Sequence, residues 1–157
     1  MKFSDFICFE AIVPELEAKD RDGAILELVS ALDAQKKLGG CSCNEIVKMV
    51  ISRENEGSTG MGKGVAMPHI KHPALKNVIA TVGVSGNGID FASLDKQPVH
   101  SIILLLSPSD DPDKHLQAIE SVFKHLQKER FRKFLKQAEN AEQIEELLKE
   151  ADENSLL

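Results

Sequence analysis

The chain reads as an α/β sandwich, a central mixed β-sheet with helices on both faces, and three observations predict it. Apolar residues recur at helical spacing in several stretches. They alternate with other residues from Val78 to Val84, and they run almost unbroken from Val99 to Leu106, as in a strand covered on both sides. Helical and strand-like stretches also interleave along the chain, the order that a sheet between helical layers produces. With 157 residues the whole chain, 1–157, is expected to form a single domain whose ordered core runs from about 3 to 150. The order of the strands is not legible at this level.

Taken in sequence, Ile7 to Val13 is a short strand or a lead-in that Pro14 ends. Ile25, Leu28, Val29 and Leu32 mark a first helix, stopped by Gly39-Gly40. Ser42, with Glu45 three residues on, has the form of a capping box and opens a helix through Ile46, Val47, Val50 and Ile51. That helix should end near Arg53-Glu54. Val65 to Ile70 reads as a strand that Pro68 makes irregular. Val78, Ala80, Val82 and Val84 share one face of the next strand, and Gly83, Gly86 and Gly88 punctuate a turn after it. Asp111-Pro112 starts a helix, aspartate as N-cap and proline at the first position, with Leu116, Ile119, Phe123 and Leu126 as its buried stripe. Phe131, Phe134 and Leu135 mark a short helix. Asn140 and Gln143 then cap a last one through Ile144, Leu147 and Leu148. The tail Asp152 to Leu157 is expected to fray.

Composition sets limits on function. Hydrophobic residues make up 42% and charged residues 28%, as in an ordinary globular protein. A net charge of −6 argues against a nucleic-acid binder, which normally shows a basic face, though it leaves room for a local positive site. Three cysteines, an odd number, and an amino terminus unlike a secretory leader predict a reduced, cytoplasmic protein. The run Ile102 to Leu106 is far too short to cross a bilayer, so any work at a membrane goes through a partner.

Chemistry concentrates between Arg53 and His72, in RENEGSTGMGKGVAMPHIKH. Gly57 to Lys63 matches the spacing of a phosphate-binding P-loop, but Gly64 stands where a hydroxyl should hold Mg²⁺, and a strand rather than a helix follows. Nucleotide binding through the Gly57–Gly64 loop is therefore the alternative reading. Cys41, Cys43, His69 and His72 offer one C-x-C and one H-x-x-H, a weak metal pattern, and no metal site is expected. The third candidate is His69 as a nucleophile carrying a phosphoryl group. A neutral imidazole has a free ring nitrogen near pH 7, and the phosphate it takes up needs cations and N–H donors close by. Arg53, Ser58, Thr59 and the Gly60–Gly64 backbone supply them. Each has a plainer role available: Arg53 can complement a helix C-terminus, and Ser58 and Thr59 can shape the turn by bonding nearby backbone.

On those residues the chain resembles the type-2 IIA domains of the bacterial phosphoenolpyruvate-dependent phosphotransferase system, the fructose, mannitol and nitrogen-regulatory family. The shared features are Arg53-Glu54, Ser58-Thr59-Gly60, the short apolar strand Gly64 to Met67, and Pro68-His69. Gly88-Ile89-Asp90-Phe91, Asp95, Pro98-Val99, the strand Ile102–Leu106 and His115-Leu116 follow in the family's order. Met61, Lys63, Met67 and Lys96 depart from the common pattern without removing a group that the chemistry needs. The resemblance implies that His69 takes phosphate on its distal ring nitrogen from a histidine-phosphorylated HPr-like carrier, with Arg53 and His115 attending. It implies no bound cofactor, and onward transfer to a IIB component of a sugar permease or use as a regulatory signal to a target protein. Independently, His115 falls in the first turn of the Asp111-Pro112 helix, where the helix dipole adds positive character. His72, His100 and His125 read as surface or packing residues. Met61 and Met67 either rim a docking surface or fill the core, and the acids from Glu139 to Glu153 form a solvated helix face.

Overall fold

A computed structural model describes residues 1–154. In order these form α1 (Phe3–Phe6), a 3-10 turn (Phe9–Ala11), α2 (Arg21–Ala34), α3 (Cys43–Glu56), β1 (Gly60–Gly62), β2 (Val65–Ala66), β3 (His69–His72), β4 (Ile79–Ile89), β5 (Val99–Pro108), α4 (Pro112–Leu126), α5 (Glu129–Gln137) and α6 (Ala141–Glu153).

The unbroken apolar run becomes β5, the spine of the sheet. Along one side it pairs antiparallel with β4; along the other it pairs parallel with β2 and then β3. Because strand side chains alternate, β5 feeds two cores. Ile103 and Leu105 meet α1, α4, α5 and α6, whereas Ile102, Leu104 and Leu106 meet α2 and α3. Helices thus cover both faces, as the fully apolar strand requires. On the α2 side the layers touch so closely that a Cβ on Gly83 would sit 2.8 Å from Leu28 Cδ2.

Several expectations need correction. The stretch before Pro14 is helical turns, with only isolated bridges from Ile7 and Val13 to β4. The helix expected to stop near Arg53 runs to Glu56. The segment Val65 to Ile70 is two strands, because Pro68 lacks an N–H to continue the ladder. Its carbonyl still accepts from Leu105 N at 2.9 Å, so β2 and β3 lie in one line beside β5. Gly86 and Gly88 mark a register irregularity between Val84 and Ile89 within one long strand, rather than a turn. The buried stripe of α4 is rotated: His115, Ala118, Val122, His125 and Leu126 face inward, while Leu116 and Phe123 are exposed. Asp152, placed in a frayed tail, lies in α6 and accepts the backbone amides of Phe3 and Ser4 at 2.6 and 3.0 Å. The rest of that expectation, for residues 155–157, lies outside the described residues. Among the described residues no helix is long and apolar enough to cross a membrane.

Candidate functional site

The site forms where the strand line breaks. Met67 is the last residue before Pro68, and Leu105 N donates to the Pro68 carbonyl. The Met67 carbonyl instead meets the imidazole of His69, 2.8 Å from Nδ1. A carbonyl only accepts, so Nδ1 carries the proton and donates, leaving the Nε2 lone pair free. Alternation along β3 puts His69 and Lys71 on the face shared with Leu105 and Ser107, their register partners in β5. Ile70 and His72 turn to the opposite core and are buried.

The second histidine arrives over the same face. Asp111 caps α4 by accepting from Lys114 N at 3.2 Å, and Pro112 fixes the first turn. That turn delivers His115, whose Nδ1 shares a 2.6 Å hydrogen bond with the buried Ser107 hydroxyl. The rings of His69 and His115 lie 5.7 Å apart between centroids, tilted by 48°. Burial, then the charges of His69 and Lys71, push the His115 pKa down from 6.5 to about 4. Positive character was expected from the helix dipole, but desolvation outweighs it. At neutral pH His115 is an uncharged imidazole.

The glycine-rich loop is held by hydrogen bonds that compression into sequence had hidden. Glu54 is buried, and its carboxylate accepts from Thr59 N at 3.0 Å and from the Thr59 hydroxyl. The Ser58 hydroxyl donates to the Phe91 carbonyl and accepts from Gly60 N at 2.9 Å. Both hydroxyl protons are thus committed within the protein. In this structure Ser58 and Thr59, the two hydroxyls expected beside a phosphate, shape the turn through these bonds. Arg53 Nη1 donates to the Gly57 carbonyl at 2.8 Å, at the end of its own helix. The loop forms a hairpin, β1 with β2, and no helix follows it, so it lacks the strand–loop–helix geometry of a P-loop.

Of the metal candidates, Cys41 Sγ lies 3.4 Å from His72 Nδ1, and Glu45 lies 3.3 Å from His72 Nε2. His69 is on the other face, and no group of three or more suitable ligands exists among the described residues. His125 is a packing residue between Phe3 and Phe131. The sequence reading missed Lys71, Ser107 and the Met67 carbonyl, and it named Glu54 only as part of the Arg53-Glu54 pair, without its bonds to Thr59. Lys71, two residues beyond His69 on a strand, left a readable signal.

Comparison with known proteins gives the chain's family and fold. Residues 6–151 match the family "Phosphoenolpyruvate-dependent sugar phosphotransferase system, EIIA 2". The chain is 30% identical over 152 residues to the fructose-specific EIIABC component of Bacillus subtilis, covering 97% of this chain but 24% of that protein. It is 31% identical over 148 residues to a nitrogen regulatory protein of Bradyrhizobium diazoefficiens, covering 94% of this chain and 95% of the relative. Its fold superposes on the crystal structure of nitrogen regulatory protein IIA-Ntr from Neisseria meningitidis with a TM-score of 0.85 at 24% identity, over 93% and 98% of the two chains.

Proposed function

Because the chain belongs to the phosphoenolpyruvate-dependent sugar phosphotransferase system EIIA 2 family, we propose that it is a phosphocarrier that holds its phosphoryl group on His69 Nε2. The observation that carries this is the hydrogen bond from His69 Nδ1–H to the Met67 carbonyl, which fixes the tautomer with Nε2 as the free nucleophile. The lone pair attacks the phosphorus of a phosphohistidine on an HPr-like donor. One N–P bond forms as the other breaks, and the donor imidazole leaves. No acid or base is needed at His69, so the protein's part is positioning and charge stabilisation.

The arriving group brings roughly 1.5 to 2 negative charges. His115, neutral beforehand, is placed to donate a hydrogen bond or take up a proton as that charge arrives. Arg53 reaches the phosphate by leaving the Gly57 carbonyl, an exposed contact that is cheap to break. Ser58 and Thr59 support the loop that carries backbone N–H groups toward it. Transfer onward to a IIB component is supported by the Bacillus subtilis relative, whose name joins A, B and C parts. A regulatory use is supported by the Bradyrhizobium diazoefficiens relative, which is named for nitrogen regulation and which this chain matches over nearly its whole length. Both uses place the chain in the cytoplasm.

The test is incubation with phosphorylated carrier and detection of an acid-labile phosphate. Wild type is expected to take it up, and His69→Ala to take up none. Labelling of His69→Ala at the wild-type level would overturn the assignment.

A further inference from the structure

Away from His69 the molecule has a second place suited to an anion. A cleft of about 430 Å³ lies between α5 and the turn joining β1 to β2, and neither Arg53, His69 nor His115 lines it. Such a volume suits a small molecule. From α5 come Lys133, Lys136 and Arg132, whose Nη1 also donates to the Leu126 carbonyl at 2.9 Å and leaves its other N–H groups for a ligand. From the hairpin turn comes the side chain of Lys63, the lysine that mimics a P-loop in sequence. Four cations converge on one cleft of a chain whose net charge is −6.

Two acids, Asp95 and Glu129, also line the cleft, so the cations outnumber them four to two. Asp95 spends its carboxylate on the backbone amides of Lys63 and Gln97, at 2.9 and 3.1 Å, and those bonds hold its pKa below the usual range. Asp95 thus stays charged but has its oxygens turned to the backbone, and Glu129 is the other lining acid. His100 borders the same space. Its Nδ1–H donates to the Ser85 carbonyl at 2.9 Å, so Nε2 keeps a lone pair for a ligand hydroxyl. A guanidinium, three ammonium groups and a hydrogen-bond acceptor over an apolar floor of Val65 and Pro98 are the recognition set for phosphate on a small organic body.

We propose that the cleft between α5 and the β1–β2 turn binds a small phosphorylated molecule, at a site separate from His69. Val65 borders the cleft and His69 follows four residues later. At about 3.3 Å per extended residue the two sites lie roughly 13 Å apart along the strand line.

Titration of the full chain with inorganic pyrophosphate, read by calorimetry and by amide chemical shifts, tests this. Saturable binding is expected, with shifts at residues 63–65, 99–101 and 129–136. The double variant Lys133→Ala/Lys136→Ala should weaken it at least about tenfold. It should also accept phosphate on His69 as wild type does, which separates this proposal from the carrier role. The variant Lys19→Ala/Lys124→Ala, which loses the same charge elsewhere, should bind as wild type. The proposal is overturned by non-saturable binding, by equal weakening in the two double variants, by sulfate binding as tightly as pyrophosphate, or by shifts confined to His69, Lys71 and His115.

Discussion

Replacing His115 with glutamine should change how the stability of this protein depends on pH. The native imidazole is buried and held at a pKa of about 4, whereas in the unfolded chain it returns to 6.5. Between those values the unfolded state binds the proton and the folded state does not. Stability from this group is therefore complete above pH 6.5 and falls as the pH drops toward 4. A tenfold change in proton affinity is about 1.4 kcal/mol, so the full loss is on the order of 3 kcal/mol. Glutamine cannot titrate, but its amide can reach the Ser107 hydroxyl. Chemical denaturation of both proteins at several pH values between about 4 and 7.5 isolates the term, since Asp95 and the other acids contribute equally to both. Wild type should lose stability over this range more steeply than His115→Gln, with the gap opening below pH 6.5. Parallel curves would show that His115 titrates alike in the folded and unfolded states, and the argument from burial would fail. In the phosphorylated protein the dianion beside His115 should move its titration upward, which imidazole carbon shifts report directly.

Two further outcomes follow from the packing. Glu54→Ala leaves the Thr59 amide and hydroxyl without their acceptor, and should cost roughly 2 to 3 kcal/mol in denaturant titration; a loss below about half a kilocalorie would mean that water replaces the carboxylate. Gly83→Ala puts a methyl group 2.8 Å from Leu28 and 3.1 Å from Leu16, and should destabilise by about 1 to 3 kcal/mol with the fold intact by circular dichroism.

The sandwich was legible because β5 is apolar on both faces and because Asp111-Pro112, Ser42 and Asn140 are unambiguous helix starts. His69 was legible because proline, glycine and histidine crowd one short stretch. What stayed hidden is instructive in physical terms. The inner stripe of α4 carries two histidines, His115 and His125, which any hydropathy reading counts as polar. One is satisfied by Ser107 and the other by the Ser121 carbonyl, with Phe3 and Phe131 against its ring. Buried polar groups follow their partners rather than their hydropathy, and although Ser107, Ser121 and Thr59 are only four to eight residues away, nothing in their spacing shows that the chain folds them onto these side chains. The same holds for Glu54. Acids near a helix end normally face water, and only the folding of Thr59 back onto it explains its burial.

The sheet's margins have a consequence for behaviour in concentrated solution. Unpaired strand edges invite other chains to add to them, the first step toward fibrils. Here β1 is three residues long and β3 four, and proline interrupts the line between β2 and β3. The β1–β2 turn ends in an exposed lysine, Lys63, and charge at an edge repels an approaching strand. On the opposite margin the long β4 is shielded by the amino-terminal segment, bridged at Ile7 and Val13. Neither side therefore offers a long, flat template. The apolar spine that organises this fold is kept from nucleating aggregates by the shortness and cover of the strands around it.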